Sequence, residues 1–211
     1  SYRIFSVFNY LFLGLLMVVC LIPVLHVFFS SISDPALLKV HTGLVIWPLG
    51  KPTLKGYEIV LSNSRIARSY LNTFFYVGTG TALGVFLSML GGYVLSRKNF
   101  MLKKPIMVFI TFTMMFNGGL IPFYLVVKGL GWLDTPLAVI IPGCLSVFNI
   151  VLMRTAMTCI SDSLYESAVL DGASHFTCFF RIAMPLSKPT IASIVLFTAV
   201  SLWNSWFQAM I

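Results

Sequence analysis

Glu166-Ser-Ala-Val-Leu-Asp171-Gly172-Ala173, followed by Ile182-Ala-Met-Pro185-Leu-Ser-Lys-Pro189, is a polar stretch set between two long apolar ones. Before it, residues 135–153 run for 19 residues without Asp, Glu, Lys or Arg; after it, residues 189–211 run for 23. Both exceed the roughly 18 residues that a helix needs to cross about 30 Å of hydrocarbon. The stretch therefore reads as a loop held between two membrane spans, where a partner protein can grip it.

Three more intervals free of these charges precede it: residues 4–33, 69–96 and 105–127, of 30, 28 and 23 residues. Five spans are expected, and they are expected to be helical because lipid offers the backbone no hydrogen-bond partners. A membrane β-barrel would show alternating segments of about ten residues, and runs such as Leu11–Val19 do not alternate. Composition agrees. The chain is 58% hydrophobic and 9% charged, against about 25% charged in soluble domains. Its mean hydropathy is +0.95. A water-soluble globular domain is excluded.

The net charge of +8 suggests nucleic acid, but its distribution speaks against that partner. Arg97, Lys98, Lys103 and Lys104 fall in one short loop beside two spans, as the positive-inside rule expects of a cytoplasmic loop. The loop with Lys128 and Asp134 nets zero and is placed outside. The amino terminus is then cytoplasmic, residues 34–68 form an external loop, and residues 155–187 a cytoplasmic one. Lys39, Lys51, Lys55, Arg65 and Arg68 in the external loop run against the rule, although loops of that length weigh less in orientation.

The first interval is too long for a signal-peptide core and reads as a retained helix. Cys20, Cys144, Cys159 and Cys178 show no pairing pattern. His26, His41 and His175 are scattered, so no metal site is expected. The chain begins at Ser1 without Met and stops at Ile211 inside an apolar run, so a sixth span is expected beyond it.

Within the spans, Pro23 predicts a kink. Phe116-Asn117-Gly118-Gly119 predicts a bend or an end to the third span, and Trp132 an interfacial anchor. A short amphipathic piece is expected near Leu54–Leu61. Gly80, Gly84, Ser88 and Gly92 recur every four residues, so they share one helix face where a neighbouring helix can approach closely. General tolerance of glycine in membrane helices is the plainer alternative.

The polar loop itself predicts two short helices. Ser163 and Glu166 fit a capping box, and Asp162 adds negative charge at the positive dipole end. Tyr165, Ala168 and Val169 share one face. Gly172 suits the left-handed residue that ends a helix. A second helix is expected over 175–183, stopped by Pro185 and Pro189. From pattern alone, an amphipathic connector lying on the membrane surface fits equally well.

The order of residue types goes further. Glu166-x-Ala168-x-x-Asp171-Gly172-Ala173, then nine residues to Ile182 and then Pro185, resembles the EAA motif of permease subunits in bacterial ABC importers. The resemblance extends over almost all of the chain. Asn117-Gly-Gly-Leu-Ile-Pro122 with Tyr124, Gly129-Leu-Gly-Trp-Leu-Asp-Thr135, Ile141-Pro-Gly143, Met153-Arg154-Thr155 and Trp203-Asn204 are similar to the carbohydrate branch of that family. The fullest likeness is to permeases for complex or uronic-acid oligosaccharides.

The resemblance implies an all-α membrane protein, a polytopic helical bundle of the type I ABC importer permease kind, with 1–211 as a single transmembrane domain. It implies a multi-pass chain of the bacterial cytoplasmic (inner) membrane that forms a sugar pathway with a second permease subunit. A cytoplasmic ATPase dimer would drive it, and an extracytoplasmic sugar-binding protein would deliver the cargo. The chain is then no enzyme and binds no cofactor itself; it has no G-x-x-x-x-G-K-[ST], and ATP and magnesium sit on the partner. Glu166 takes the role of the motif glutamate that meets a basic residue of the ATPase. Gly172 allows the turn, Ala168 and Ala173 fit closely in the ATPase groove, and Asp171 completes the motif.

For the sugar pathway, the polar and aromatic residues available at membrane depth are Asn117, Asn149, Trp203 and Asn204, with Gln208 beyond them. Hydrogen bonds between helices and interfacial anchoring are their alternative uses. A channel or secondary transporter would want ionisable groups within spans, where His26 alone qualifies. A membrane-embedded enzyme would want a clustered acidic or His site, and Asp162, Glu166 and Asp171 are the one acidic cluster.

Overall fold

A computed structural model describes residues 2–116, 118–206 and 208–210. Its helices fall into two compact units, Ser1–Tyr70 and Leu71–Ile211. In the first, α1 (Tyr2–Ser31) continues through Pro23 and buries none of its residues. Such an all-round apolar surface belongs against lipid or another chain. Asp34 caps the short α2 (Pro35–Val40), its carboxylate accepting from the Ala36 N–H at 2.9 Å. The segment up to α3 (Lys55–Leu61) folds back onto the end of α1. His26 Nδ1 accepts the Val45 N–H at 2.9 Å, Ser33 Oγ accepts the Leu49 N–H at 2.9 Å, and the Thr53 N–H reaches the Ile32 carbonyl at 2.8 Å. His26, the one ionisable group in the predicted spans, is thus used to hold backbone.

α4 (Ser64–Ser96) is an unbroken 33-residue helix. It is followed by α5 (Lys103–Met115), α6 (Leu120–Gly129), α7 (Pro136–Cys144), α8 (Val147–Thr158), α9 (Asp162–Leu170) and α10 (His175–Cys178). A π-helical turn (Phe179–Ala183) leads into α11 (Met184–Leu186) and then α12 (Lys188–Trp203).

Among the described residues three helical stretches are long and apolar enough to cross a membrane: Tyr2–Ser31, Ser64–Ser96 and, with α7 and α8 taken together, Pro136–Thr158. Five result if each of two bent pairs forms one span. The third expected span is broken: α5 and α6 are bent by 117° across the break between Met115 and Leu120, and Gly119, just before α6, takes φ +82°. The fifth also departs from a straight 189–211 run. The helix over His175–Leu186 meets α12 at 80°. α12 then stops at Trp203, where the Asn204 N–H and Nδ2 both turn back to the Val200 carbonyl. An asparagine side chain that competes for helix carbonyls favours an end there.

In the second unit the core lies where the ends of α4 and α8 meet α9, the π turn and α12. Met153, Met157, Ala183 and Ile194 are fully buried, with Tyr93, Tyr165, Cys178 and Phe179 beside them. The expected small face of α4 is turned inward. A methyl group on Gly84 would overlap the Cys144 carbonyl, one on Gly92 would lie 2.6 Å from Met153 Cγ, and one on Gly80 would lie 2.6 Å from Leu202 Cδ1. Ser88 is wholly buried between them.

Candidate functional site: the 155–187 loop and the cavities beside Asn149 and Asn204

The loop departs from the main run of α8 and returns into α12. Ser161, not Ser163, occupies the N-cap of α9, and its side chain makes no capping bond. The expected capping box is therefore absent: Ser163 already lies within the helix, and its Oγ is 2.8 Å from Ser161 Oγ. Asp162 takes the first turn, close to the positive end of the helix dipole. Of the three residues expected on one face, Tyr165 is buried and Ala168 packs on the core, whereas Val169 is 53% exposed. The inward stripe is thus narrower than the sequence reading.

The end of α9 is a Schellman turn. Asp171 is the C-cap, Gly172 follows with φ +80°, and the Gly172 N–H bonds Val169 O at 3.0 Å. The Ala173 N–H closes the wider ring to Ala168 O at 2.8 Å. Ser174 then caps the next helix, accepting from the Thr177 N–H at 3.2 Å. That helix runs past the expected stop to Leu186. Proline lacks an N–H and its ring crowds the carbonyl four residues earlier. Here the turn before Pro185 widens to a π turn, with the Met184 N–H reaching back to Phe179 O, so the helix accommodates it.

Glu166 and Asp171 are exposed, Gly172 has open space around its α-carbon, and Ala168 and Ala173 are partly buried on the inner side. Glu166 also lines a cavity of about 620 Å³ beside Arg97, Lys98, Asp162 and Tyr165. Lys98 Nζ pairs with Asp162 Oδ2. The hydrogen bond from Lys98 holds the Asp162 carboxyl below the usual carboxylate range, with Arg97 and Lys103 adding to the same field. The same bond raises Lys98. Burial raises the Tyr165 hydroxyl, against the pull of the Arg97 charge.

Arg97 is the residue that sequence reasoning passed over. Its guanidinium lies 3.7 Å from the Tyr165 ring centre and 5.0 Å from that of Tyr93. The Tyr93-x-x-x-Arg97 spacing at a helix end was the available signal, since residues four apart are neighbours on one face.

The candidate pathway residues scatter. Asn117 lies outside the described residues. Asn149 is buried, its Nδ2 donating to Thr198 Oγ1 at 3.1 Å to join α8 to α12, and it lines a cavity of about 260 Å³. Asn204 lines another of about 590 Å³ together with Ser201, Ser205 and Gln208. Trp203 packs edge-on against Phe74, ring centres 5.7 Å apart. The two cavities share Gly143 and Ser201, so Asn149 and Asn204 border adjoining spaces.

Residues 80–209 match the family model described as binding-protein-dependent transport system inner membrane component. The chain is 37% identical over 212 residues to the polygalacturonan/rhamnogalacturonan transport system permease protein YtcP of Bacillus subtilis, covering 99% of this chain and 72% of that protein. It is 37% identical over 209 residues to protein LplC of the same organism, covering 99% and 70%. Among solved structures it is similar to a bacterial ABC transporter involved in the import of the acidic polysaccharide alginate. There the TM-score is 0.90 at 34% identity, over 96% of this chain and 72% of that one.

Proposed function

The chain belongs to the binding-protein-dependent transport system inner membrane components, among the permeases of carbohydrate ABC importers, and from that membership we propose that it is a permease subunit of an ATP-driven importer of acidic oligosaccharides. The cargo class rests on one agreement. A sequence relative is named for polygalacturonan and rhamnogalacturonan, and the structural relative serves an acidic polysaccharide. A carboxylated sugar chain is the chemistry they have in common.

In this reading the 155–187 loop and the amino terminus face the cytoplasm and the 34–68 loop faces outward. A second permease subunit completes the pathway, an ATPase dimer binds ATP and magnesium, and an external binding protein presents the sugar. The open cavity beside Asn204, Ser201, Ser205 and Gln208 offers hydroxyls and amides suited to sugar hydroxyls. Glu166 stands exposed on the outer side of α9, where a basic residue of the ATPase can meet it. Gly172 sets the turn, and Ala168 and Ala173 keep that end of the loop small. Transport needs an element with two arrangements that both ATP and sugar bias. The helices continuing the loop, α8 and α12, are that element.

The test is co-expression with the partner permease, ATPase and binding protein, followed by reconstitution in vesicles. A stoichiometric complex that takes up oligogalacturonate only with ATP is expected. A chain that purifies alone and equilibrates the sugar without ATP contradicts the reading and favours a channel or secondary transporter.

A further inference from the structure

α9 meets the end of α4 through more than van der Waals contact. Tyr93 and Tyr165 are both 7% exposed, and their ring centres lie 6.4 Å apart. Phe179 stacks edge-on to Tyr93 at 5.2 Å. The Arg97 guanidinium lies close over Tyr165 and within reach of Tyr93, and its Nε and Nη2 lie 3.2 and 3.1 Å from Ser96 Oγ. Tyr93 OH reaches the His175 carbonyl at 3.4 Å, touching the second helix of the loop as well.

We propose that Arg97 is a positioning residue: by capping the Tyr93–Tyr165 pair it fixes α9 to the end of α4, so that movement of the loop is delivered to the small-residue face of α4 as well as to α8 and α12. Two interactions compete for that role. The Lys98–Asp162 pair sits in water, with Lys98 80% exposed, and exposed pairs contribute little because solvent screens them. A guanidinium over buried rings loses less to water, and its flat face matches theirs. The stacked arginine is therefore the stronger tie. From there the route along α4 is short. Gly92 touches Met153, Gly84 touches Cys144, and Gly80 touches Leu202 of α12. A shift of α4 is felt at the Leu202 that lines the 590 Å³ cavity.

The proposal rests on the transport reading above, so its test has one arm that needs no sugar. In the intact reconstituted complex, Arg97→Ala, Arg97→Lys, Tyr165→Leu and Tyr165→Phe are compared with wild type. The first arm reads amide exchange over α9. The second reads ATP hydrolysis with and without oligogalacturonate-loaded binding protein.

Arg97→Ala and Tyr165→Leu are expected to retain the ATPase and its basal hydrolysis. Exchange over α9 speeds up while α8 and α12 stay protected, and sugar stimulation falls about fivefold or more. Arg97→Lys follows them, because an ammonium keeps the charge but not the plate; Tyr165→Phe matches wild type, because the ring is retained. Unchanged exchange and stimulation in Arg97→Ala overturn the proposal, as does full function in Arg97→Lys. If Arg97→Ala fails to assemble, the lysine and phenylalanine variants decide by the same criteria. A wild-type complex indifferent to sugar contradicts the transport reading instead, and the exchange arm still decides the clamp.

Discussion

At the scale of the residue, Gly84 and Ser88 make a matched pair on one helix face. Gly84 lies so close to the Cys144 carbonyl that any side chain must push α4 away from α7. In lipid there is no hydrophobic drive to restore the contact, because the alternative surroundings are equally apolar. Gly84→Val therefore costs about 1–3 kcal/mol, the usual range for overpacking a tight contact. Ser88 is also wholly buried, but its hydroxyl has no partner among the described residues. Its removal relieves a desolvated polar group rather than a bond, so Ser88→Ala stays within about 0.5 kcal/mol of wild type. Thermal midpoints of the purified complex check both. Equal losses in the two variants would mean that this face does not pack as described.

At the scale of the element, the turn after α9 carries a clean prediction. Nothing lies within 4 Å of a methyl group placed on Gly172, so only its φ of +80° restricts the position. Gly172→Ala costs about 1 kcal/mol for the left-handed backbone. Exchange of the Ala173 amide, which closes the turn, should quicken about fivefold; Gly172→Asn should sit closer to wild type, as asparagine tolerates that region. An unchanged rate in Gly172→Ala would count against the turn.

This is also the element that the sequence made most legible. A glycine at the end of a periodic segment has few other uses, and Glu166 to Ala173 are contiguous, so the candidate site could be read from one line of residues. What stayed hidden depended on distant partners or on close balances. Ser161 and Ser163 are equally good cap candidates, and the choice between them is made by the fold. Pro185 reads as a stop because a π turn cannot be seen in a pattern of period 3.6. α2 is too short for periodicity to show, although Asp34 is its cap and Pro35 its first residue. Arg97 looked like one of four charges obeying a topological rule. Its role appears only when Tyr165 is brought over it.

At the scale of the whole molecule, two units of very different character share one chain. α1 buries none of its 30 residues, so what holds it helical in lipid is its own backbone hydrogen bonding. The second unit keeps its tight glycine contacts, its buried Asn149–Thr198 hydrogen bond and its aromatic cluster together. These contacts join the 155–187 loop to the cavities, which is what the proposed coupling requires. The proposed role of this loop is to couple the sugar to another chain's ATP hydrolysis. The most direct measurement is ATP hydrolysis by the reconstituted complex with Glu166→Lys, with and without loaded binding protein. Sugar stimulates the wild type and leaves the variant at its basal rate if the loop is the coupling element. Stimulation of the variant equal to that of wild type would contradict it.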